Sequence, residues 1–207
     1  LLFLMEGAQK QPGVMETASE ERTRRILDSA VHLAERGGFE AVRLRDVASQ
    51  ADVALATVYK RFRSKEDLLV GALARDADAF GRLLATNPVP GDSPKERTVT
   101  FFKLATEVFC AKPNLARAVL RAVSSGEPEL TQKVAQFQTQ IAEYTCIAIG
   151  GRNDEPHPFR DSPDVALLLQ SIWYAGLVGW MGGLRTTEEI VDQMALAAEI
   201  MFKGAEG

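Results

Sequence analysis

The stretch Leu44-Arg45-Asp46-Val47-Ala48-Ser49-Gln50-Ala51-Asp52-Val53-Ala54-Leu55-Ala56-Thr57-Val58-Tyr59-Lys60-Arg61-Phe62-Arg63-Ser64-Lys65 reads as two short helices joined by a tight break. Leu44, Val47, Ala48 and Ala51 fall at i, i+3, i+4 and i+7, one face of a helix. Asp52 and Val53 interrupt it, and a second helix runs from about Leu55 to Phe62 with Val58 and Phe62 on its inner side. Upstream, a longer helix opens at the capping pair Thr17 and Glu20, carries Ile26, Leu27, Ala30, Val31 and Ala34, and is expected to stop at Gly37-Gly38. Downstream, Ser64 with Asp67 caps a fourth helix striped by Leu68, Leu69, Ala72, Leu73, Phe80, Leu83 and Leu84. A supporting helix followed by two short, sharply joined ones is the helix-turn-helix arrangement.

Charge is divided unevenly along the 207 residues. The whole chain carries a formal −4, which alone argues against a polyanionic partner. Residues 22–65, however, hold ten basic side chains against five acidic ones, a balance of +5 that leaves −9 for the remainder. A basic end on an acidic body is the distribution of a protein that offers one end to nucleic acid. On the second short helix Leu55, Ala56, Tyr59, Lys60 and Arg63 face away from Val58 and Phe62, and the small residues at its start would let it enter a major groove. Tyr59 and Lys65 can each bond a phosphate, and Lys65 stands in a helix's first turn, where backbone N–H groups favour an anion.

Apolar spacing gives helix nearly everywhere else and sustained strand alternation nowhere, so the chain is all-α with about nine helices. Residues 87–94, with three prolines and a glycine, interrupt it; beyond them helices are expected near 95–111, 114–124, 128–149, 163–184 and 187–203. Residues 1–16 read as a tail, 17–65 as the helix-turn-helix domain and 66–207 as a second, helical domain.

The run from Phe39-Glu40-Ala41-Val42-Arg43-Leu44-Arg45-Asp46-Val47-Ala48 through Ala51-Asp52-Val53-Ala54-Leu55-Ala56-Thr57-Val58-Tyr59-Lys60-Arg61-Phe62-Arg63-Ser64-Lys65-Glu66-Asp67-Leu68-Leu69 resembles the DNA-binding head of the TetR family of transcriptional regulators. The resemblance covers about residues 22–70. It implies that Arg45 reaches a base edge, for which a bidentate Arg–guanine pair is chemically apt. It also implies that Lys60 contacts bases and that Arg43, Tyr59, Arg61 and Lys65 contact phosphate. Many members have Ser where Ala54 stands and Gly where Ala56 stands. The second short helix here therefore lacks a side-chain cap, and Ala54, Leu55 and Ala56 are free to touch thymine methyls. The Ala-Leu-Ala-Thr-Val-Tyr pattern, Gly37-Gly38 with Phe39-Glu40-Ala41-Val42, Trp173 and Gly179-Trp180 resemble the branch that represses sterol-catabolism operons.

The same resemblance implies that the rest of the chain binds a small effector and dimerises. Phe101, Phe102, Phe109, Phe137, Ile141, Tyr144, Trp173 and Tyr174 form a largely apolar set with few polar anchors, among them Gln170, which suits a bulky hydrophobic molecule. Any one of these side chains would also serve as ordinary core. Ala175, Gly179 and Gly183 lie on one helical face at small-xxx-small spacing, and with Met194 and Ala198 of the last helix they are expected at a two-fold interface. The implied partners are a double-stranded operator, a small hydrophobic effector and a second copy of the chain.

Other functions find little support. There is no G-x-S-x-G, glycine-rich phosphate loop or H-E-x-x-H, so no catalytic residue is assigned and no enzyme is expected. Two histidines and the separated Cys110 and Cys146 offer neither a metal site nor a disulfide framework, and no cofactor is implied. Val165–Leu184 holds 20 uncharged residues, the length of a membrane span. Its four glycines, Gln170 and Ser171, and the absence of flanking basic clusters make a buried helix the expectation, with no membrane partner and a cytoplasmic location.

Overall fold

The computed structural model describes residues 17–150 and 163–203. Among them there are nine α-helices and no strand. These are α1 (Ala18–Ala41), α2 (Leu44–Gln50), α3 (Leu55–Arg61), α4 (Lys65–Thr86), α5 (Pro94–Cys110), α6 (Pro113–Val123), α7 (Thr131–Gly150), α8 (Pro163–Met181) and α9 (Thr187–Lys203). A 3-10 turn, Pro128–Leu130, precedes α7.

Capping explains where several of them begin. Thr17 and Glu20 close a reciprocal capping box on α1, Ser93 accepts from the Glu96 N–H at the start of α5, and Thr186 with Glu189 repeats the box on α9. Ser64 accepts from the Asp67 N–H at 3.1 Å, while the Asp67 carboxylate accepts from the Arg63 N–H at 3.0 Å. Several ends differ from the sequence reading, two of them at glycines. In α1 the break at Gly37-Gly38 is a kink rather than a stop, because Gly38 takes φ 67° and the chain then completes another turn through Phe39 to Ala41. Helix α8 ends at Met181, not at Leu184, where the N–H of Leu184 bonds to the C=O of Gly179 and that of Gly183 to the C=O of Trp180. That pattern places Gly183, at φ 73°, in the left-handed position past the helix end.

Contacts divide the chain into two compact units. The first runs to Asp76 and takes in Lys112–Val134. Its core holds Ile26, Ala30 and Ala34 of α1, Val47 of α2, Val58 of α3, Leu68 and Leu69 of α4 and Ala122 of α6, all fully buried. The turn between α2 and α3 depends on Asp52 at φ 52°, a conformation that Asp tolerates better than most residues, and on the Val53 N–H bonding to the C=O of Ala48. Helix α6 is fastened to α1 at both ends: Lys112 pairs with Glu35 at 2.6 Å, Asn114 donates to the Glu35 C=O, and Arg121 pairs with Glu40 at 2.8 Å. The unit containing the helix-turn-helix is thus larger than residues 17–65, because α6 and the turn after it complete its core.

The second unit comprises Ala77–Ala111 and the described residues from Ala135 onward. Phe101, Phe102, Ile149, Leu169, Leu177, Ile190 and Met194 are its largest fully buried side chains. Arg97 donates to the Ile149 C=O at 3.1 and 2.7 Å, holding the start of α5 against the end of α7. Helices α8 and α9 meet at Gly176, where an added Cβ would stand 3.1 Å from an Ile190 methyl.

Candidate nucleic-acid interface

Helices α2 and α3 owe their placement to Val47, Ala48, Ala51, Val58 and Phe62, whose burial turns the opposite faces outward. Arg43, the N-cap of α2, and Arg45 in its first turn are exposed. On α3, Ala54 and Ala56 are exposed, Leu55 is half-buried, and Tyr59 is 56% exposed with Lys60 beside it. No side chain caps α3, as the alanine at its N-cap position dictates. Among the described residues, the side chains of Arg43, Arg45, Tyr59 and Lys60 make no ion pair or hydrogen bond. Four groups suited to base edges and phosphates therefore stand exposed on α2 and α3 with their polar atoms uncommitted.

Two of the nine expected contact residues are placed differently. The Arg61 guanidinium donates to Thr23 Oγ1 at 2.6 Å and to Ser19 Oγ at 2.9 Å, fastening α3 to the start of α1. Lys65 pairs with Glu40 at 3.2 Å and lies 4.0 Å from the centre of the Phe39 ring. Arg121 lies over the same ring at 4.1 Å, and the Lys65 and Arg121 cations together hold the Glu40 carboxyl below its usual range. Both residues are bound within the head before DNA arrives, so any phosphate contact from them competes with an existing bond.

The sequence reading missed residues 127–133. A cleft of about 340 Å³ opens beside the end of α3, walled by Tyr59, Lys60, Arg63, Glu127, Glu129 and Lys133 among others. Glu129 pairs with Arg63 at 3.1 Å, Glu127 accepts from the Ser64 hydroxyl at 3.3 Å, and Lys133 pairs with Asp67. The connection from α6 to α7 thus sets carboxylates against the basic end of the recognition helix. Sequence spacing could not reveal this, since the partners lie more than sixty positions apart.

In the second unit, six rings follow one another: Tyr144, Phe80, Phe101, Phe102, Trp173 and Phe109, with centroids 5.0–6.2 Å apart at successive steps. The Trp173 N–H donates to Thr106 Oγ1 at 2.8 Å. Of the expected effector residues, Phe101, Phe102, Ile141 and Gln170 are buried, while Phe109, Phe137, Tyr144, Trp173 and Tyr174 are half-buried. Burial and the Asp78 and Glu143 carboxylates push the Tyr144 hydroxyl up, against a bond from Gln140 that lowers it. Phe80, read from sequence only as part of a stripe on α4, links the Phe101 and Tyr144 rings.

The expected dimer face needs correction. Met194 and Ala198 are 0% exposed within the single chain, so neither can meet a second copy. Gly183 lies in the turn after α8, and Gly179 is covered by the Arg185 side chain. Ala175 remains outward, in an exposed stripe of α8 formed by Leu168, Ser171, Ala175 and Val178. Helix α9 exposes Leu196 and Ile200, at 60% and 66%. Among the described residues α8 is the one helix long and apolar enough to cross a bilayer; in this fold Gly176 on its buried face packs onto Ile190.

Comparison with known proteins agrees with this arrangement. Residues 26–72 match bacterial regulatory proteins of the tetR family, and residues 91–201 match the tetracyclin repressor-like C-terminal domain. The HTH-type transcriptional repressor KstR of Rhodococcus jostii (strain RHA1) is 33% identical over 188 residues, 89% of this chain and 84% of its own length. A TetR transcriptional regulator from Rhodococcus sp. RHA1 superposes with a TM-score of 0.77 at 21% identity, covering 90% of this chain and 97% of that one. FadR from Bacillus subtilis, solved in complex with stearoyl-CoA, superposes with a TM-score of 0.59 at 19% identity, over 87% of this chain and 98% of its own. The chain belongs to the tetR family of bacterial regulatory proteins and is a transcriptional regulator with a helix-turn-helix DNA-binding head.

Proposed function

We propose that the chain is a cytoplasmic repressor that binds a palindromic operator as a two-fold dimer and leaves it when a bulky hydrophobic effector, of the sterol or acyl class, occupies the second unit. The observation that carries the DNA part is the contrast within the head: Arg43, Arg45, Tyr59 and Lys60 are exposed and uncommitted, whereas Arg61 and Lys65 are bound internally. The run of aromatic rings supports the apolar effector. So does the likeness to FadR, whose structure holds stearoyl-CoA, and the sequence resemblance to the sterol-catabolism branch.

The outward stripe of α8 and Leu196 and Ile200 of α9 supply an apolar surface for a second copy, with the small Ser171 and Ala175 permitting close approach. Two recognition helices related by a two-fold axis reach half-sites about one helical turn apart, or a multiple of it. Release requires an effector that prefers the non-binding state, and a coupling of about 1–3 kcal/mol is typical. A gel shift with the DNA flanking the chain's own gene tests the reading, at two salt concentrations and with Arg45→Ala beside the wild type. Specific retention that weakens with salt and with the substitution is the expected result. Equal retention of unrelated DNA overturns it.

A further inference from the structure

Four polar side chains are buried among the described residues of the second unit: Thr98, Thr106, Thr145 and Gln170. Three are satisfied within their own helices, for Thr98 donates to the Pro94 C=O, Thr106 to the Phe102 C=O and Thr145 to the Ile141 C=O, at 2.7–2.9 Å. Gln170 is different. Its Oε1 is enclosed and accepts no hydrogen bond. It stands on the inner face of α8 with Ala166, Leu169, Gly176 and Leu177, one turn before Trp173, where a leucine or methionine would pack without leaving a polar atom unpaired. The indole N–H of Trp173 is already given to Thr106. An enclosed acceptor without a donor is uncommon in a folded protein and calls for a specific partner.

We infer that this partner is a hydroxyl carried by the effector: the molecule that releases the repressor is apolar and bears a neutral alcohol that donates to Gln170 Oε1. The inference rests on the apolar-effector reading above and sharpens it. A hydroxyl fits better than an ammonium group, because no carboxylate is buried among the described residues of this unit to offset a cation. The alcohol also confers selectivity. An analogue without it leaves the amide unpaired in the bound state, whereas the alcohol pairs it.

The test titrates the full chain, by quenching of tryptophan fluorescence, with cholesterol, with cholest-5-ene (the same hydrocarbon without the 3-hydroxyl) and with the corresponding 3-ketone, each delivered from cyclodextrin. A parallel pair, 1-hexadecanol and hexadecane, covers a linear effector. The wild type is expected to bind the alcohol of at least one set about tenfold more tightly than its hydrocarbon. In Gln170→Met that preference falls to near unity, while the melting temperature holds or rises because an unpaired polar atom has gone. If Gln170→Met does not fold, the wild type's own preference decides. Binding with no preference for the alcohol, a preference that survives Gln170→Met, or a preference for the ketone over the alcohol overturns the inference and leaves the apolar-effector reading standing. Failure of every probe to bind overturns both.

Discussion

Tyr144 lays its phenol ring in the space that a Cβ on Gly81 would occupy. The Tyr144 ring of α7 therefore packs directly on the backbone of α4 at Gly81, where any side chain would displace it. The Tyr144 hydroxyl accepts from Gln140 Nε2 at 2.9 Å, and its ring meets Phe80 edge-on at 6.2 Å. Gly81→Ala should destabilise the protein by about 1–3 kcal/mol through overpacking, despite the better helix propensity of alanine. Thermal melts of Gly81→Ala, Tyr144→Ala and the double variant check this. The double variant should be less destabilised than the sum of the singles, since removing the ring removes the clash.

Arg45 and Arg61 lie sixteen positions apart in the same basic segment and should behave differently when truncated. Arg45→Ala is expected to weaken operator binding by about 1–3 kcal/mol and to relax selectivity at one base pair, with little change in melting temperature. Arg61→Ala removes the bonds to Ser19 and Thr23 and should lower the melting temperature as well as affinity. Paired gel shifts and melts on both variants separate the two roles.

That difference also marks how far sequence reached. The turn at Asp52-Val53 and the inward Val58 and Phe62 follow from local periodicity, so the outward set of Arg43, Arg45, Tyr59 and Lys60 was legible. The attachments of Arg61 and Lys65 were not, because their partners stand far along the chain on α1 and no local pattern encodes such pairing. On α9 the strongest apolar spacing, Ile190, Met194, Ala197 and Ala198, is the face that packs inward. The outward Leu196 and Ile200 break that spacing and were passed over for the same reason.

Glu129 holds Arg63 at 3.1 Å beside the end of α3, in competition with any phosphate that approaches. Glu129→Gln should raise affinity for DNA several-fold at low salt. The log–log salt dependence should steepen by about one unit as Arg63 gains a phosphate contact. Binding isotherms for the variant and wild type across a salt series provide the measurement.

Acid sensitivity centres on Glu199, which pairs with Lys203 one turn on in α9 and with Lys95 at the start of α5. These bonds hold its carboxyl at about 2, well below the ordinary 4.5. With the folded value depressed, the stabilisation is present above about 4.5 and is lost as pH falls from there toward 2. Glu199→Gln should therefore show a shallower loss of stability across that window than the wild type in denaturant titrations, and added salt should narrow the gap.

The outward face of α9 can be tested apart from its core. Leu196→Glu with Ile200→Glu should convert a dimer to a folded monomer, seen as halved mass in sedimentation with unchanged helical circular dichroism. Met194→Glu places a charge at a fully buried position and should unfold the unit instead.

The backbone passes between the two compact units three times, after Asp76, after Ala111 and after Val134. No single cut in the chain can release the DNA-reading unit intact, so swapping heads between such regulators demands a three-point graft. By the same wiring, a displacement begun around a bound effector has three covalent routes to the operator, and a severed or slackened one still leaves two.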